Sequence, residues 1–360
     1  MKLKAKHFII LIIAALFCSS CSKDDSIINP PGTETSKYDT TKIAEAYQLI
    51  SRVQGIRSLV ISFESNIIYE EYYNNTGPEP DSILDVRSVT KSILSTLVGI
   101  AFDKGYLDSL DQPINQFIAP LVDSLNPEMG AITIRQLLTM TAGFDWHEIV
   151  EPSEFPQFAY APDQLLYVLD KPFINTPGTT FDYSDGAAHL MSVVLSEATG
   201  MSAAEFARVN LFEPMGLEER FWYEDNRGYN YGGVGLCIGP HDMIKIGEMI
   251  LQKGEYNGAR IVSENWINDA TSVHISTNNI LPYLTDYGYY WWKGNKNGYN
   301  FSMANGYGGQ FILVVPDLKL VVVTTCEFRG LSNISGQNWS TIINVIMNNV
   351  MPAFSSTSNY

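Results

Sequence analysis

The sequence has few cysteines, few charged residues and a shortage of basic ones. Four cysteines in 360 residues are too few for a scaffold held together by disulfides. Lysine and arginine number 23 against 39 acidic residues, giving a formal net charge of −16, so the basic surface of a sequence-independent nucleic-acid binder is excluded. An apolar fraction of 45% excludes global disorder. At roughly 150 residues per domain, the length allows two domains or one large domain with an insertion.

Several chemical motifs are also missing. The five histidines are scattered and form no His-Glu-x-x-His or other closely spaced pair, so no metal site and no cofactor is predicted. The Gly-x-Ser-x-Gly turn that carries the nucleophile of α/β-hydrolases is absent, which argues against that fold.

The N-terminus has the pattern of an export signal. Three lysines precede an apolar run over residues 8–17, which as a helix would span about half a bilayer, so residues 1–20 are predicted to be a signal peptide. Small residues before Cys21 resemble a bacterial lipobox, which would make Cys21 the lipid anchor of a cell-envelope lipoprotein. The alternative is an ordinary secretory signal in which Cys21 has no role. Residues 22–25, Ser-Lys-Asp-Asp, resemble the surface-export signal of Bacteroidetes lipoproteins.

Removal of residues 1–20 would take away three lysines and no acid, leaving a net charge of −19. Residues 21–42 are rich in Pro, Thr, Ser and charge and are predicted to be a flexible tether. Two cysteines remain in the body of the chain, Cys237 and Cys326, each within an apolar segment. Two buried thiols are predicted, and a disulfide between them is the alternative.

Strand patterns occur near both ends of the body, with helical patterns between them. A hairpin is predicted around Glu64-Ser65-Asn66, followed by a helix over residues 88–104. Residues 107–258 are mostly helical in pattern. Strands are then predicted at residues 287–292, 310–315 and 318–325, before a final helix over residues 339–351.

This order predicts an α/β (α+β) fold in which the two ends of the body pair in one sheet. The predicted sheet domain consists of residues 43–106 and 259–354, and residues 107–258 form an inserted, mainly helical subdomain. Residues 355–360 are a tail. A cleft is expected where the two parts meet.

The first candidate for chemistry is Ser88-Val89-Thr90-Lys91 at a helix start, with Asp85 available as a cap. Residues i and i+3 share one face of a helix, so the Lys91 amine could take the proton of the Ser88 hydroxyl. Free N–H groups at a helix N-terminus also favour a developing oxyanion. The alternative is a helix-start serine with a lysine that reaches solvent, since the same spacing arises by chance at Ser20 and Lys23.

Two further segments complete the set. Pro177-Gly178 marks a turn, and Tyr183-Ser184-Asp185 precedes a helix, where a lysine ammonium would favour the phenolate of a general base. The alternative is a capping Asp185 beside a half-buried Tyr183. Residues 304–310, Ala-Asn-Gly-Tyr-Gly-Gly-Gln, allow close backbone approach to a ligand. A phosphate-binding loop is disfavoured there because the Lys-Ser/Thr of a P-loop is missing.

Together these features resemble the serine beta-lactamase and penicillin-binding-protein superfamily, in particular its class C-like branch of esterases, D-aminopeptidases and 6-aminohexanoate-dimer hydrolases. Residues 137–143, Leu-Leu-Thr-Met-Thr-Ala-Gly, and 211–217, Leu-Phe-Glu-Pro-Met-Gly-Leu, also match the family. The resemblance implies an antiparallel sheet flanked by helices, as in beta-lactamases and transpeptidases. It further implies that Ser88 attacks a carbonyl to form an acyl-enzyme, that Lys91 and Tyr183 manage its proton, and that the backbone N–H groups of Ser88 and Tyr307 form an oxyanion hole.

The resemblance also implies a substrate-binding role for four residues, Asp185, Ala304, Asn305 and Gly306. Two of them depart from the family pattern. Ala304 stands where beta-lactamases and DD-peptidases carry the lysine that complements a substrate carboxylate, which disfavours beta-lactams and peptidoglycan termini. Asp185 replaces an asparagine and would either hold Lys91 protonated, leaving Tyr183 as the base, or repel anionic substrates.

The resulting hypothesis is a lipid-anchored serine hydrolase acting on a small neutral ester or amide, with no nucleic-acid partner and membrane contact only through the N-terminal lipid. The alternatives within enzymes are a beta-lactamase or a peptidase for D-amino acids. The alternative of another class is a non-catalytic ligand-binding lipoprotein with the same fold.

Overall fold

The chain enters its main sheet through the hairpin that the sequence predicts. Strand β1 (Ile56–Phe63) and strand β2 (Asn66–Tyr72) pair antiparallel, with Phe63 opposite Asn66. The two residues between them, Glu64 and Ser65, have φ values of 50° and 61°. Positive φ at both positions is the geometry of a two-residue hairpin turn whose twist matches the strands.

A computed structural model describes residues 37–73, 83–149, 153–217 and 220–355, all within one compact unit. The predicted signal peptide, Cys21 and residues 356–360 of the predicted tail lie outside the described residues. The main sheet contains six further strands: β8 (Ile275–Leu281), β9 (Leu284–Tyr287), β10 (Trp292–Lys296), β11 (Tyr299–Gly306), β12 (Gln310–Val315) and β13 (Leu320–Cys326). The eight antiparallel strands lie in the order β2-β1-β13-β12-β11-β10-β9-β8.

Two small sheets lie outside the main one. Strand β3 (Leu84–Asp85), β4 (Phe221–Trp222) and β5 (Leu236–Ile238) form a three-stranded sheet in the order β3-β5-β4. Strand β6 (Glu255–Tyr256) pairs with β7 (Ala259–Arg260). The helices are α1 (Thr40–Ile50), α2 (Val89–Asp103), α3 (Asn115–Ile118), α4 (Pro127–Gly130), α5 (Ile134–Leu138), α6 (Phe155–Ala159), α7 (Gln164–Leu169), α8 (Asp185–Thr199), α9 (Ala203–Ala207), α10 (Glu213–Met215), α11 (Pro240–Leu251), α12 (Glu264–Ala270), α13 (Ser332–Val345) and α14 (Met351–Ser355).

Helices cover both faces of the main sheet, which is why β12 and β13 are buried along their whole length. On one face, Phe311 of β12 meets Trp339 of α13 edge to face at 6.2 Å. On the other face, Ile312 meets α11 at Gly247, where a Cβ would lie 3.0 Å from the isoleucine and would overlap Val321. The absence of a side chain at Gly247 therefore lets α11 approach the sheet closely. This mixed helix and antiparallel-sheet architecture confirms the predicted fold class.

Between α2 and α11, the described chain is helical or irregular apart from the short strands β4 and β5. Helix α8 is the centre of this region and is buried on nearly every side from Asp185 to Ser196. It packs against α2, α5 and α7. The domain boundaries expected from the sequence stay a prediction.

Three local predictions need correction. The aromatic run at 287–292 is not one strand: β9 ends at Tyr287 and β10 begins at Trp292, with Tyr290 at φ 60° between them. The Tyr290 N–H donates to the carbonyl of Leu138 at 3.1 Å, so a contact with the helical region bends the chain. The final helix begins at Ser332 rather than at residue 339. At the other end, α1 begins at Thr40, capped by the Asp39 carboxylate, within the segment predicted to be the tether.

The two cysteines of the body are free and buried, as predicted. Burial raises the pKa of each thiol, Cys237 and Cys326, to about 12. Within the described ranges, no helix combines the length and the hydropathy needed to cross a bilayer.

Candidate active site

The nucleophile candidate Ser88 stands at the first turn of α2, directly after a strained residue. Arg87 has a φ of 52°, which an arginine adopts only when its surroundings enforce it. Asp85 enforces the turn, because its Oδ1 accepts from the backbone N–H of Arg87 at 2.7 Å and from that of Gly235 at 3.1 Å. Asp85 therefore fixes the turn instead of capping the helix. Ser88 occupies the cap position, but its hydroxyl makes no capping hydrogen bond and is available for chemistry.

Lys91 is held by three acceptors. Its Nζ donates to Ser88 Oγ at 3.0 Å, to the carbonyl of Gly233 at 2.9 Å and to Asp185 Oδ1, with which it forms an ion pair. An ammonium has three N–H donors, so all of them are used. The side chains of Lys91 and Asp185 are 1% and 2% exposed, so this charge pair lies in the interior.

Tyr183 covers the pair from the other side. Its ring centroid lies 4.7 Å from Lys91 Nζ, and the ring packs against Trp292 at 5.2 Å and edge to face against Tyr287 at 6.2 Å. Ser184 caps α8 by accepting from the backbone N–H of Ala187 at 3.0 Å. Asp185 is thus not the cap but the first helical residue, where the helix dipole favours a carboxylate.

The two candidate bases are both protonated in the resting site. Burial by itself lowers the pKa of Lys91, but the Asp185 carboxylate outweighs it and holds that pKa above its ordinary value. Burial raises the pKa of the Tyr183 phenol, and its contacts with Lys91 and Ser88 offset only part of that increase. Loss of the Ser88 proton therefore requires a proton to move within the group.

A pair of glycines, which sequence reasoning missed, makes room for this arrangement. A Cβ at Gly232 would overlap the carbonyl oxygen of Ala188, and a Cβ at Gly233 would overlap Asp185 Oδ1. With a side chain at either position, the Gly233 carbonyl could not reach Lys91 beside Asp185. The only sequence signal was the Gly-Gly pair itself.

The end of β11 lies against the turn that precedes Ser88. A Cβ at Gly306 would stand 2.6 Å from the carbonyl oxygen of Val86, so only glycine fits there. Among the described residues, no acceptor takes a hydrogen bond from the backbone N–H groups of Ser88 or Tyr307. Two unused N–H donors beside a nucleophile are what an oxyanion hole requires. The Tyr307 side chain turns outward and donates from its hydroxyl to the Ser332 carbonyl at 3.2 Å.

Residues 304–306 alternate across the sheet, as strand residues do. Ala304 is fully buried and pairs with Ile312, on the side of α2 and α11. The Asn305 side chain is on the other face, where its Oδ1 accepts from Trp339 Nε1 at 2.6 Å. The structure thus brings Ser88, Lys91, Tyr183, Asp185 and Gly306 together, and it leaves only the backbone of Asn305 for contact with a ligand on the Ser88 side.

A second carboxyl, Glu148, approaches the charge pair and was not foreseen. Its Oε2 accepts from Trp146 Nε1 at 2.8 Å. Burial and the nearby Asp185 carboxylate raise its pKa to about 8, although the Lys91 ammonium acts in the opposite direction. Nothing in a single sequence marks this glutamate, because its loop reaches the site only through tertiary folding.

An open cavity of about 440 Å³ leads to Tyr183, and Glu148 and Asp182 line it. Burial raises the pKa of Asp182 to about 6. The approach to the site is therefore acidic. In the part of the chain that the structure describes, no group of three or more His, Cys, Asp or Glu side chains could hold a metal ion.

Comparison with known proteins decides the family. Residues 58–334, more than three quarters of the chain, match the sequence profile of the Beta-lactamase family. The chain belongs to the beta-lactamase family. The match spans the Ser88, Tyr183 and Tyr307 segments together, which confirms the resemblance drawn from the sequence.

Relatives in the family carry several activities. The chain is 24% identical to a 6-aminohexanoate-dimer hydrolase of Paenarthrobacter ureafaciens over 71% of this chain and 69% of that protein. A solved putative 6-aminohexanoate-dimer hydrolase from Bacillus anthracis has a TM-score of 0.70 at 20% identity, covering 85% of this chain and 82% of that one. The structure of EstCE1, a hydrolase with promiscuous acyltransferase activity, has a TM-score of 0.68 at 16% identity, covering 84% of this chain and 98% of that one. This member of the beta-lactamase family thus has the fold of these proteins and has hydrolases among its relatives.

Proposed function

We propose that this beta-lactamase-family protein is a serine hydrolase that forms an acyl-enzyme on Ser88 and cleaves a neutral ester or amide. The observation that carries the proposal is the hydrogen bond from Lys91 to Ser88 Oγ, made by an ammonium that Asp185 and Gly233 hold in place. A hydroxyl that is not used as a helix cap, beside a buried proton-transfer group, is an activated nucleophile.

The proton of Ser88 leaves through the charge pair. Lys91 passes one proton to Asp185 along their direct hydrogen bond, and its neutral amine then accepts the Ser88 proton as Oγ bonds to the substrate carbonyl carbon. When the tetrahedral intermediate collapses, the Tyr183 hydroxyl protonates the leaving group and is reprotonated from Lys91. Water then releases the acyl group by the same transfers in reverse. Tyr183 takes a proton from the attacking water and passes it to Lys91, Lys91 protonates Ser88 Oγ, and Asp185 returns its proton to Lys91. The backbone N–H groups of Ser88 and Tyr307 stabilise the oxyanion during both acylation and deacylation.

The charges near the site favour a neutral substrate. Ala304 supplies no cation where family members have a lysine, and the carboxyls of Glu148 and Asp182 line the approach. Glu148 is mainly protonated at neutral pH because its pKa is about 8, but Asp182 is charged above its pKa of about 6, so a substrate carboxylate would meet like charge and no lysine there. Beta-lactams and peptidoglycan termini are consequently proposed to be poor substrates.

We also propose that the protein is a bacterial cell-envelope lipoprotein. This proposal rests on the apolar run at 8–17 and the small residues before Cys21. The membrane would be contacted only through a lipid on Cys21, at the end of a short tether before α1.

The test is a substrate panel of p-nitrophenyl esters, D-amino-acid amides and a chromogenic cephalosporin, with wild-type protein and Ser88→Ala. Ester or amide turnover that depends on Ser88 and exceeds cephalosporin turnover is the expected result. Cephalosporin turnover that rivals ester turnover would overturn the substrate assignment. If folded wild-type protein shows no Ser88-dependent turnover of any substrate class, the assignment of a catalytic role to Ser88 would be overturned.

A further inference from the structure

A second and larger cavity lies away from the candidate active site. It has a volume of about 640 Å³ and lies between strands β1 and β2 and helix α11. Ser62 of β1, Ile67 of β2, and Ile244 and Glu248 of α11 are among the residues that line it. The candidate active site is at β11, and strands β13 and β12 lie between β1 and β11. At about 4.8 Å per strand, the two places are roughly 14 Å apart or more.

Two polar atoms in the wall of this cavity have no partner. Ser62 is 1% exposed and Glu248 is 7% exposed. Within the described parts of the chain, Ser62 Oγ and Glu248 Oε1 make no hydrogen bond. Glu248 Oε2 accepts only a long hydrogen bond, 3.3 Å, from Gln252 Nε2. Buried polar atoms are nearly always paired, so two unpaired oxygens in the wall of one cavity indicate an occupant that brings donors.

The charges of the cavity define the kind of donor. The Lys245 ammonium is already used by the Gly216 carbonyl at 2.8 Å and by the Asp242 carboxylate at 3.5 Å. Glu248 forms no ion pair with any described lysine, arginine or histidine. A carboxylate this deeply buried ordinarily has a cationic partner. The unmet requirement is therefore a positive charge that also carries N–H donors.

The rest of the wall combines polar side chains with three isoleucines, Ile67, Ile83 and Ile244. Ile244 is buried, and Ile67 is 47% exposed on the edge strand β2. An aliphatic chain could lie along these side chains while its charged end reaches Glu248, and removal of its apolar surface from water would add to binding. An uncharged polyhydroxylated ligand would leave the charge of Glu248 uncompensated.

We propose that this cavity is a binding site for a small alkylammonium compound, with Glu248 as the counter-charge and Ser62 as a second hydrogen-bond partner. The site is independent of Ser88 and of the proposed hydrolysis, because the two sets of residues do not overlap. Glu248 and Ser62 have no other hydrogen-bonding or ionic role in the described structure that would explain their burial.

The test is isothermal titration calorimetry of n-pentylamine, which is protonated at neutral pH, with n-pentanol as its uncharged counterpart. Glu248→Gln keeps the size and removes the charge, and Ser62→Ala removes the hydroxyl. Glu128→Gln, an exposed glutamate on α4, is the matched control. Glu148→Gln reports whether the amine binds at the acidic approach to the active site instead.

The proposal expects pentylammonium to bind wild type, Glu128→Gln and Glu148→Gln equally, and Glu248→Gln at least about ten-fold more weakly, the usual effect of losing a charge-assisted hydrogen bond. Pentanol should bind wild type no more tightly than pentylammonium binds Glu248→Gln. Without ligand, Glu248→Gln should melt no lower than wild type, because the carboxylate has no cationic partner and an amide oxygen can still accept the long hydrogen bond from Gln252. Any of three results would overturn the proposal: pentylammonium does not bind wild type, it binds Glu248→Gln as tightly as wild type, or pentanol binds wild type as tightly as pentylammonium does. If Glu248→Gln does not fold, unchanged binding to Ser62→Ala would overturn it.

Discussion

The substitution Asp185→Asn tests the buried charge pair while keeping the shape of the side chain. Asparagine is also the residue that the family resemblance implies at this position. Lys91 would keep its hydrogen bonds to Ser88 Oγ at 3.0 Å and to the Gly233 carbonyl at 2.9 Å, and it would lose only the opposite charge. Two unit charges about 4 Å apart attract each other by about 4 kcal/mol at the effective dielectric constant typical of proteins.

Both side chains are almost completely buried, so solvent screens little of this attraction. Removal of one partner of such a pair typically costs roughly 3–5 kcal/mol, and the amine can limit the loss by releasing its proton. We expect Asp185→Asn to lose about 3 kcal/mol of unfolding free energy in urea at neutral pH. This loss of stability depends on pH, because burial lowers the pKa of an ammonium that has no counter-charge. The folded variant then binds fewer protons than the unfolded chain, so its deficit relative to wild type grows as the pH falls.

The control is Asp163→Asn, which removes an ion pair to Arg227 whose side chains are 26% and 28% exposed. An exposed pair of this kind contributes at most about 1 kcal/mol. In activity assays, the acid limb of the kcat/KM profile of Asp185→Asn should move to lower pH, because the neutral amine of Lys91 then exists at lower pH. A loss below about 1 kcal/mol that is the same at all pH values, with an unmoved acid limb, would refute the role of the pair.

Three further predictions concern other residues. Since the pKa of Glu148 is raised from 4.5 to about 8, the folded protein holds a proton that the unfolded chain releases. As the pH rises from 4.5 to 8, wild type should therefore lose more stability in urea titrations than Glu148→Gln, which keeps only the loss that comes from the raised pKa of Asp182, and parallel curves would contradict this. Gly233→Ala would place a methyl group on Asp185 and should cost about 1–3 kcal/mol and most of the activity. Gly336→Ala is the matched control, because neither glycine has a positive φ and a Cβ at Gly336 meets nothing within 4 Å. Cys237 and Cys326, buried and with raised pKa values, should react with a thiol reagent only after denaturation, and fast reaction of either one in the folded protein, located by peptide mapping, would contradict their burial.

Elements with strong local signals were predictable from the sequence. The hairpin turn at Glu64-Ser65, the helix after Ser88 and the strands β12 and β13 form where polar turns and apolar periodicity agree. The Ser88 and Lys91 side chains share a helix face by spacing alone, so their contact follows from local structure. Asp185 was expected either to pair with Lys91 or to repel anions, and the structure places it in the pair.

What the sequence did not reveal depends on contacts between distant segments. The aromatic run at 287–292 has the composition of a strand, but a hydrogen bond to Leu138 bends it at Tyr290. The raised pKa of Glu148 comes from its burial, on a loop with no periodic pattern, and from Asp185, a residue 37 positions away. The side chain of Asn305 points away from Ser88 because strand residues alternate, and the register of β11 becomes visible only when its partner strands are in place.

The most direct test of the central claim is mass spectrometry of the protein after treatment with a fluorophosphonate, followed by peptide mapping. Wild type should gain a single adduct on the peptide that contains Ser88, while Ser88→Ala, with an unchanged circular dichroism spectrum and melting temperature, should gain none. Folded wild-type protein that stays unlabelled, or an adduct on a serine other than Ser88, would contradict an acyl-enzyme at this site.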